Sequence, residues 1–222
     1  LAEQTIGEKD LQDLIEWLKS NPWLTQGRLV EQFEGRWARW LGIKHATFVN
    51  YGSSANHLMY YALLLAGRLR NKKVVVPAIS WATTVAPAIQ LGFEPMMCEA
   101  DWGDFGLDMD YLETLLKEHQ PAAVMIVHVL GAPNRMESLL QLKEQYGFVL
   151  MEDTCAAMGS RYDGQLVGTF GEMSTFSFYY GHHLSTIEGG MVCTNDEELH
   201  DILLHIRSHG WAKNLAPEKE QQ

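Results

Sequence analysis

Two adjacent histidines, His182 and His183, follow the apolar and aromatic run Ser174-Thr-Phe-Ser-Phe-Tyr-Tyr180 and precede the paired glycines Gly189-Gly190. Imidazole can both take and give a proton near neutral pH, so a histidine at the mouth of a strand is a candidate for acid–base work. His183 reads as a support bonded to backbone. His128, His57 and His45 read as structural or peripheral. Asp153 follows an apolar run, Phe148-Val-Leu-Met151, and Glu152. A carboxylate at that depth needs a cation or several donors. It is either a cap or salt-bridge partner, or the partner of a protonated ring nitrogen in a ligand. Gly52-Ser53-Ser54 lies between a strand and a helix, where it is either an N-cap or an anion site built from free amides, the helix dipole and hydroxyls. Trp81 offers a flat face for stacking or a packed core side chain, and Ser177 adds another hydroxyl.

The elements that would position these residues alternate along the chain. Helical spacing marks residues 8–20, with Leu11, Leu14, Ile15 and Leu18 on one face and Pro22 as the stop. A second helix runs over 29–41 to a C-cap at Gly42. Strands are predicted at 46–49, 73–77, 93–98, 122–127, 148–151, 174–178 and 191–194. Helices are predicted at 57–69, 82–91, 110–119, 136–146 and 197–208. Several strands are continuous apolar runs, as expected when both faces of a sheet are covered. The fold class is therefore α/β, a mostly parallel sheet with helices on both faces. Ligands bind such sheets at the carboxyl ends of the strands. Gly52-Ser53-Ser54, Ser80-Trp81, His128, Asp153 and Ser177 to His183 all fall at predicted strand ends. Phosphate donors, a stacking ring and an aspartate that can pair with a pyridinium together suit pyridoxal 5′-phosphate.

Composition narrows the field. The 222 residues are 46% hydrophobic and 20% charged, an ordinary globular balance. The formal net charge of −11 argues against a nucleic-acid footprint or an anionic membrane surface. An anionic small ligand stays compatible with it, because local amides can outweigh net charge. Cys98, Cys155 and Cys193 are far apart, which argues against a disulfide framework or an all-cysteine metal site. No stretch reaches the ~18 apolar residues of a membrane helix and no signal peptide precedes the first helix, so a cytoplasmic protein is expected.

The chain resembles the fold-type-I pyridoxal-phosphate proteins of the sugar-nucleotide aminotransferase family. The matching stretches are Leu24-Thr-Gln-Gly27, Gly52-Ser-Ser-Ala-Asn56, Ser80-Trp-Ala-Thr-Thr84, Glu152-Asp153, Phe176-Ser-Phe178, Glu188-Gly-Gly190 and Arg207-Ser-His-Gly210, in the family's order. The resemblance implies an aspartate-aminotransferase-like large domain over residues 1–222, opening with a helical segment. The family's smaller C-terminal domain would lie outside these residues. It also implies that Gly52, Ser53 and Ser177 contact the cofactor phosphate, that Trp81 stacks on the ring, that Asp153 pairs with the ring nitrogen and that His209 faces the sugar. A homodimer with shared active sites is expected.

One departure decides the branch. Aminotransferases of the family carry a lysine, bound covalently to the cofactor, four residues after Phe-Ser-Phe; counting from Phe178, that position is His182. No lysine occurs between Lys143 and Lys213. The replacement, followed by His-Leu-Ser-Thr-Ile-Glu-Gly-Gly, resembles the 3-dehydratases of deoxysugar biosynthesis. These imply pyridoxamine 5′-phosphate held without a covalent bond and a nucleotide-linked 4-keto-6-deoxy sugar as substrate, with GDP-4-keto-6-deoxymannose favoured. His182 would move protons while the C3 hydroxyl leaves, and L-glutamate would restore the amine. Competing readings are a sugar-nucleotide aminotransferase, a CDP-sugar 3-dehydratase with an iron–sulfur cluster, and a non-catalytic cofactor-binding relative. Cys155 lies near one cluster ligand of the CDP type, but the closely spaced cysteines expected after Arg207-Ser-His-Gly210 are absent. Ala156 stands where relatives carry a polar or acidic residue.

Overall fold

The computed structural model describes residues 6–211. Helix α1 (Glu8–Lys19) stands first and buries none of its residues. Helix α2 (Arg28–Leu41) leads through Gly42, at φ +83°, into β1 (His45–Val49). There follow α3 (Gly52–Ala66), β2 (Lys73–Pro77), α4 (Ala82–Gln90), β3 (Glu94–Cys98), α5 (Met109–His119), β4 (Ala123–Val127), α6 (Met136–Tyr146) and β5 (Val149–Asp153). A two-stranded hairpin of β6 (Arg161–Tyr162) and β7 (Gln165–Leu166) precedes β8 (Met173–Ser177), β9 (Gly190–Thr194) and α7 (Glu197–Arg207).

Seven strands form one sheet in the order β1-β9-β8-β5-β4-β2-β3. β3, β2, β4, β5 and β8 pair in parallel, while β9 is antiparallel to both β8 and β1. The two antiparallel pairings leave β1 parallel to the rest, so its carboxyl end reaches the same rim. Side-chain alternation sorts the core into two faces. Val74 and Val76 pack with Met59, Leu63, Ala88 and Leu203 beneath α3, α4 and α7. Val75, Val124 and Leu150 pack with Leu112, Leu116 and Leu139 beneath α5 and α6. On that second face α2 contributes Trp37 and Leu41 against Phe176, Phe178 and Met191. Burial on both faces accounts for the unbroken apolar runs in the sequence. No helix among the described residues is long and apolar enough to cross a membrane.

The expected helices and strands are present, with one informative shift. The helix expected from His57 begins five residues earlier, at Gly52. Gly, Ser and Asn are weak helix formers, so Gly52-Ser-Ser-Ala-Asn56 reads as loop. Tertiary contacts override that preference: Gly52 is packed against Ser177, and Asn56 bonds Asp153. The β6–β7 hairpin is too short for an alternation signal.

At the opposite rim the rings of His45 and His200 stack at 4.2 Å, and Thr47 Oγ1 lies 3.3 Å from His200 Nδ1. Burial first, then the charge of His45, lowers the His200 imidazole from 6.5 to about 4. Between those values the unfolded chain takes up a proton that the folded chain refuses, so stability falls as pH drops from 6.5 towards 4 and this contribution levels off below it. His200→Asn is expected to flatten that part of the curve. Urea midpoints of wild type and variant at pH 7 and pH 4 measure the difference, and carboxylate titrations common to both cancel.

Candidate active site

The carboxyl ends of β1, β2, β4, β5 and β8 surround a cavity of about 670 Å3. β1 delivers Tyr51, Gly52 and Ser53. β2 delivers Ser80 and Trp81, β4 Val129 and Leu130, β5 Asp153, Cys155 and Ala156, and β8 Ser177, Tyr179 and His182. Gly52, Ser53, Trp81, Asp153, Ser177 and His182 thus share one cavity. His209 sits just past α7, exposed, with φ +61°, and is not among the residues lining it.

At β1 the N-cap of α3 is Tyr51, and the first intrahelical bond runs from the Ala55 amide to the Tyr51 carbonyl. Ser53 and Ser54 are therefore first-turn residues rather than caps. The amides of Gly52, Ser53 and Ser54 precede that bond, at the positive end of a 15-residue helix. A Cβ on Gly52 would stand 2.6 Å from Ser177 Cβ and 3.1 Å from Cys155 Sγ. Glycine is thus required for the helix terminus to approach Ser177. The Ser177 oxygen accepts from the Tyr179 amide at 3.3 Å, which leaves its own proton to donate. Amides and serine hydroxyls together make a cradle suited to a phosphate.

Asp153 is buried at the end of β5. Its Oδ2 accepts from Asn56 Nδ2 at 2.9 Å and Thr84 Oγ1 at 2.8 Å, and its Oδ1 accepts from the Cys155 amide at 3.1 Å. Thr175 donates to the far side of Asn56 at 2.7 Å and fixes that amide's orientation. Neutral groups supply these bonds, so neither the cap nor the salt bridge considered from sequence describes Asp153. Its negative charge is left for a cation or N–H donor in the cavity, and Oδ1 retains acceptor capacity. Trp81 is 74% exposed, which excludes the core-packing reading and leaves its ring free at the rim.

Glu152 points to the opposite face from Asp153 and is fully buried. Its carboxylate accepts from the amides of Gly168, Phe170 and Gly171, each at 2.7 Å, and lies 3.1 Å from His128 Nε2. The Asn134 amide donates to His128 Nδ1, so Nε2 carries the ring proton and gives it to Glu152. This chain fixes the Val129–Gly131 turn that walls the cavity. His128 is structural, as expected from the sequence, but Glu152 as its anchor carried no sequence signal beyond standing beside Asp153.

His182 lies on the segment between β8 and β9. Burial first, then the neighbouring charge of His183, lowers its imidazole below 6.5, while Asp153 acts in the opposite sense. It is uncharged at neutral pH and able to accept a proton. His183 is exposed, and among the described residues its side chain makes no hydrogen bond to backbone, so the expected backbone-bonded support is not seen. No lysine is among the residues lining the cavity.

The profile of the DegT/DnrJ/EryC1/StrS aminotransferase family matches residues 4–222. The chain belongs to this family. It is 39% identical over 218 residues to GDP-4-keto-6-deoxy-D-mannose 3-dehydratase of Yersinia pseudotuberculosis, covering 97% of this chain and 55% of that protein. It is 33% identical over 204 residues to GDP-perosamine synthase of Escherichia coli O157:H7, covering 92% of this chain and 55% of that protein. Among solved structures it superposes with TM-score 0.91 and 35% identity on E. coli GDP-4-keto-6-deoxy-D-mannose-3-dehydratase with bound hydrated PLP, covering 97% of this chain and 56% of that one. A structure of GDP-4-keto-6-deoxymannose-3-dehydratase with a trapped PLP-glutamate geminal diamine gives a TM-score of 0.88 at 34% identity, with 97% of this chain and 56% of that one covered. The chain spans about half the length of the curated relatives it matches.

Glu152 organises the site from below. Glu152→Leu would leave three amides and the His128 donor without their acceptor, and is expected to cost about 3–5 kcal/mol, the range for breaking a buried charged network. Urea denaturation of the purified chain measures it, and a midpoint equal to wild type would contradict this account.

Proposed function

We propose that this chain is the cofactor-binding large domain of a 3-dehydratase that removes the C3 hydroxyl of a nucleotide-linked 4-keto-6-deoxy sugar, GDP-4-keto-6-deoxymannose first among the candidates. The observation that carries the reading is His182: the position four residues after Phe178 holds a neutral imidazole, and no lysine lines the cavity. The relatives named above support the sugar and the use of L-glutamate as amino donor. The cofactor is pyridoxal 5′-phosphate, with pyridoxamine 5′-phosphate as its working form. When bound it supplies an electron sink for bonds to carbon beside the ketone.

The residues fit that group. The α3 amides at Gly52 and Ser53, with the Ser177 hydroxyl, would hold its phosphate, and the close approach permitted by Gly52 supports this placement. Asp153, bonded to neutral donors, would hold the protonated ring nitrogen. Trp81 would stack on the ring from the rim. The neutral His182 imidazole would first take up the proton lost from the carbon that carries the cofactor's amine and then deliver it to the departing C3 oxygen of the sugar. Histidine forms no stable covalent link to an aldehyde, so the cofactor would stay dissociable. His209 would face the sugar from the segment after α7; its exposure leaves it available to a ligand extending beyond the cavity described.

The family's smaller domain would lie outside these residues. The working unit would be a homodimer in the cytoplasm, drawing on L-glutamate and the nucleotide sugar. The exposed apolar side chains of Trp81 and Leu130 at the cavity mouth support a second copy against this rim.

His182→Lys tests the assignment. Wild type incubated with pyridoxal 5′-phosphate, treated with borohydride and dialysed is expected to lose the cofactor, whereas the variant keeps it covalently at position 182, read by peptide mass. Release of 3-deoxy sugar is expected to fall by roughly 10²–10⁴-fold, the span for losing a general acid–base group. A wild-type chain labelled at a lysine in the cavity, or undiminished dehydration by the variant, would sink the reading.

A further inference from the structure

β1 is an edge strand of the sheet, and a groove of about 480 Å3 between α2 and α7 runs along its free side. The groove shares no lining residue with the cavity at the carboxyl rim. An edge strand presents a row of backbone N–H and C=O groups to whatever lies beside it. Both groups of Phe48 are closed: its amide donates to Glu34 Oε1 at 2.7 Å and its carbonyl accepts from Arg207 Nη1 at 3.2 Å. Glu34 and Arg207 also pair with each other. Because the Phe48 amide faces away from β9, so do the amide and carbonyl of Ala46, two residues earlier in the same antiparallel ladder. Ala46 lines the groove, and among the described residues nothing bonds either group.

Three further features surround that open rung. The Arg207 side chain is only 8% exposed, yet its Nε has no hydrogen-bond partner. Glu34 commits Oε1 to Phe48 and Arg207, and among the described residues its Oε2 accepts no hydrogen bond. Gly35 lies inside α2, although glycine is a poor helix former. Among the described residues packed around it, a Cβ there would come within 4 Å only of Arg39 Nη1, at 3.5 Å. Packing within the chain therefore does not call for glycine at this position; its effect is to leave the groove open.

We propose that the α2–α7 groove binds a free α-amino acid. In an antiparallel pair, one residue's N–H and C=O exchange two hydrogen bonds with the C=O and N–H of another. An α-amino acid carries the same two groups on one carbon, with full charges. Its carboxylate accepts from the Ala46 amide and its ammonium donates to the Ala46 carbonyl. The second carboxylate oxygen is the acceptor that Arg207 Nε lacks, and Glu34 Oε2 takes another ammonium proton; both bonds are charge-assisted. The side chain then lies among Val30, Ala38 and Leu204, the apolar walls of the groove. Glu31 and Lys44, both exposed, add one charge of each sign around it. A peptide strand fits less well. Strand addition uses successive rungs, and the next one, at Phe48, is closed by Glu34 and Arg207.

This site does not rest on the function proposed above, and binding is read without turnover. Amide resonances of the purified chain are followed as L-leucine is added. The Gly35 and Ala46 amides are expected to shift saturably with a Kd below about 10 mM, while the Gly52 and Ser53 amides stay in place. 4-Methylpentanoate, which lacks the ammonium, and 3-methylbutylamine, which lacks the carboxylate, are each expected to bind about tenfold more weakly or worse, the effect of losing hydrogen bonds to a charged group. Gly35→Leu fills the groove and is expected to weaken L-leucine binding by at least about tenfold, through loss of the same bonds. Its urea midpoint should be no lower than wild type, because leucine is the better helix former. No saturable shift below that concentration, an analogue that binds as well as L-leucine, or undiminished binding by a folded Gly35→Leu chain would overturn the proposal. The two analogues decide it should the variant fail to fold. A capped penta-alanine peptide that bound the same amides more tightly than L-leucine would also overturn it, and would mark the groove as a strand-docking site instead.

Discussion

Two carboxylates sit side by side at the end of β5, both buried, and the rest of the site depends on how each is satisfied. Leaving either without donors would cost several kcal/mol. Strand alternation sends them to opposite faces, so each must recruit its own partners. Glu152 draws in the amides of Gly168, Phe170 and Gly171 and the His128 ring, and through His128 the Asn134 amide. Asp153 draws in Asn56 from α3 and Thr84 from α4. One dipeptide therefore ties the strand to two helices, a turn and a loop. The cavity wall at Val129–Gly131 and the first turn of α3 are both held in consequence.

The difference between the two carboxylates is functional. Glu152 has four donors and is closed off from the cavity, so its charge is spent on architecture. Asp153 has three, of which the amide to Oδ1 is the longest at 3.1 Å, and it faces the cavity. A neutral imidazole at position 182 adds no positive charge there. Without it, the opposite charge must come from the ligand, which suits a cofactor held by electrostatics and hydrogen bonds rather than by a covalent bond.

Much of this was legible in the sequence, for reasons that differ by residue. Asp153 stood out because it ends an apolar run, and depth in a strand is readable from its neighbours. The cavity residues converged because parallel strands place their carboxyl ends on one rim, so strand order was not needed to group them. His182 stood out only through the family's spacing from Phe176-Ser-Phe178; its chemistry alone did not separate it from His183. The start of α3 was misplaced because local propensity argued for a loop, whereas the contacts of Gly52 and Asn56 come from residues about a hundred positions away. Glu152's partners were invisible for the same reason. Each lies at least 16 positions away with no shared periodicity to betray the pairing.

The arrangement also separates what must be rigid from what must react. The cradle and Asp153 lie at the ends of buried strands and in the first turn of a packed helix, where backbone and side chains are fixed from several sides. His182 lies on a hairpin, where substitution of one side chain leaves the sheet untouched. On the function proposed above, changing the group there would alter the chemistry without disturbing the binding of the cofactor beside it. On the function proposed above, that division would let a family of aminotransferases that also includes 3-dehydratases share one scaffold, with the cofactor's cradle dictated by burial and position 182 free to vary. The cost is that the His182 side chain inherits the freedom of the exposed segment between β8 and β9. On the function proposed above, whatever restrains that segment would bear on catalysis without touching the reacting atoms.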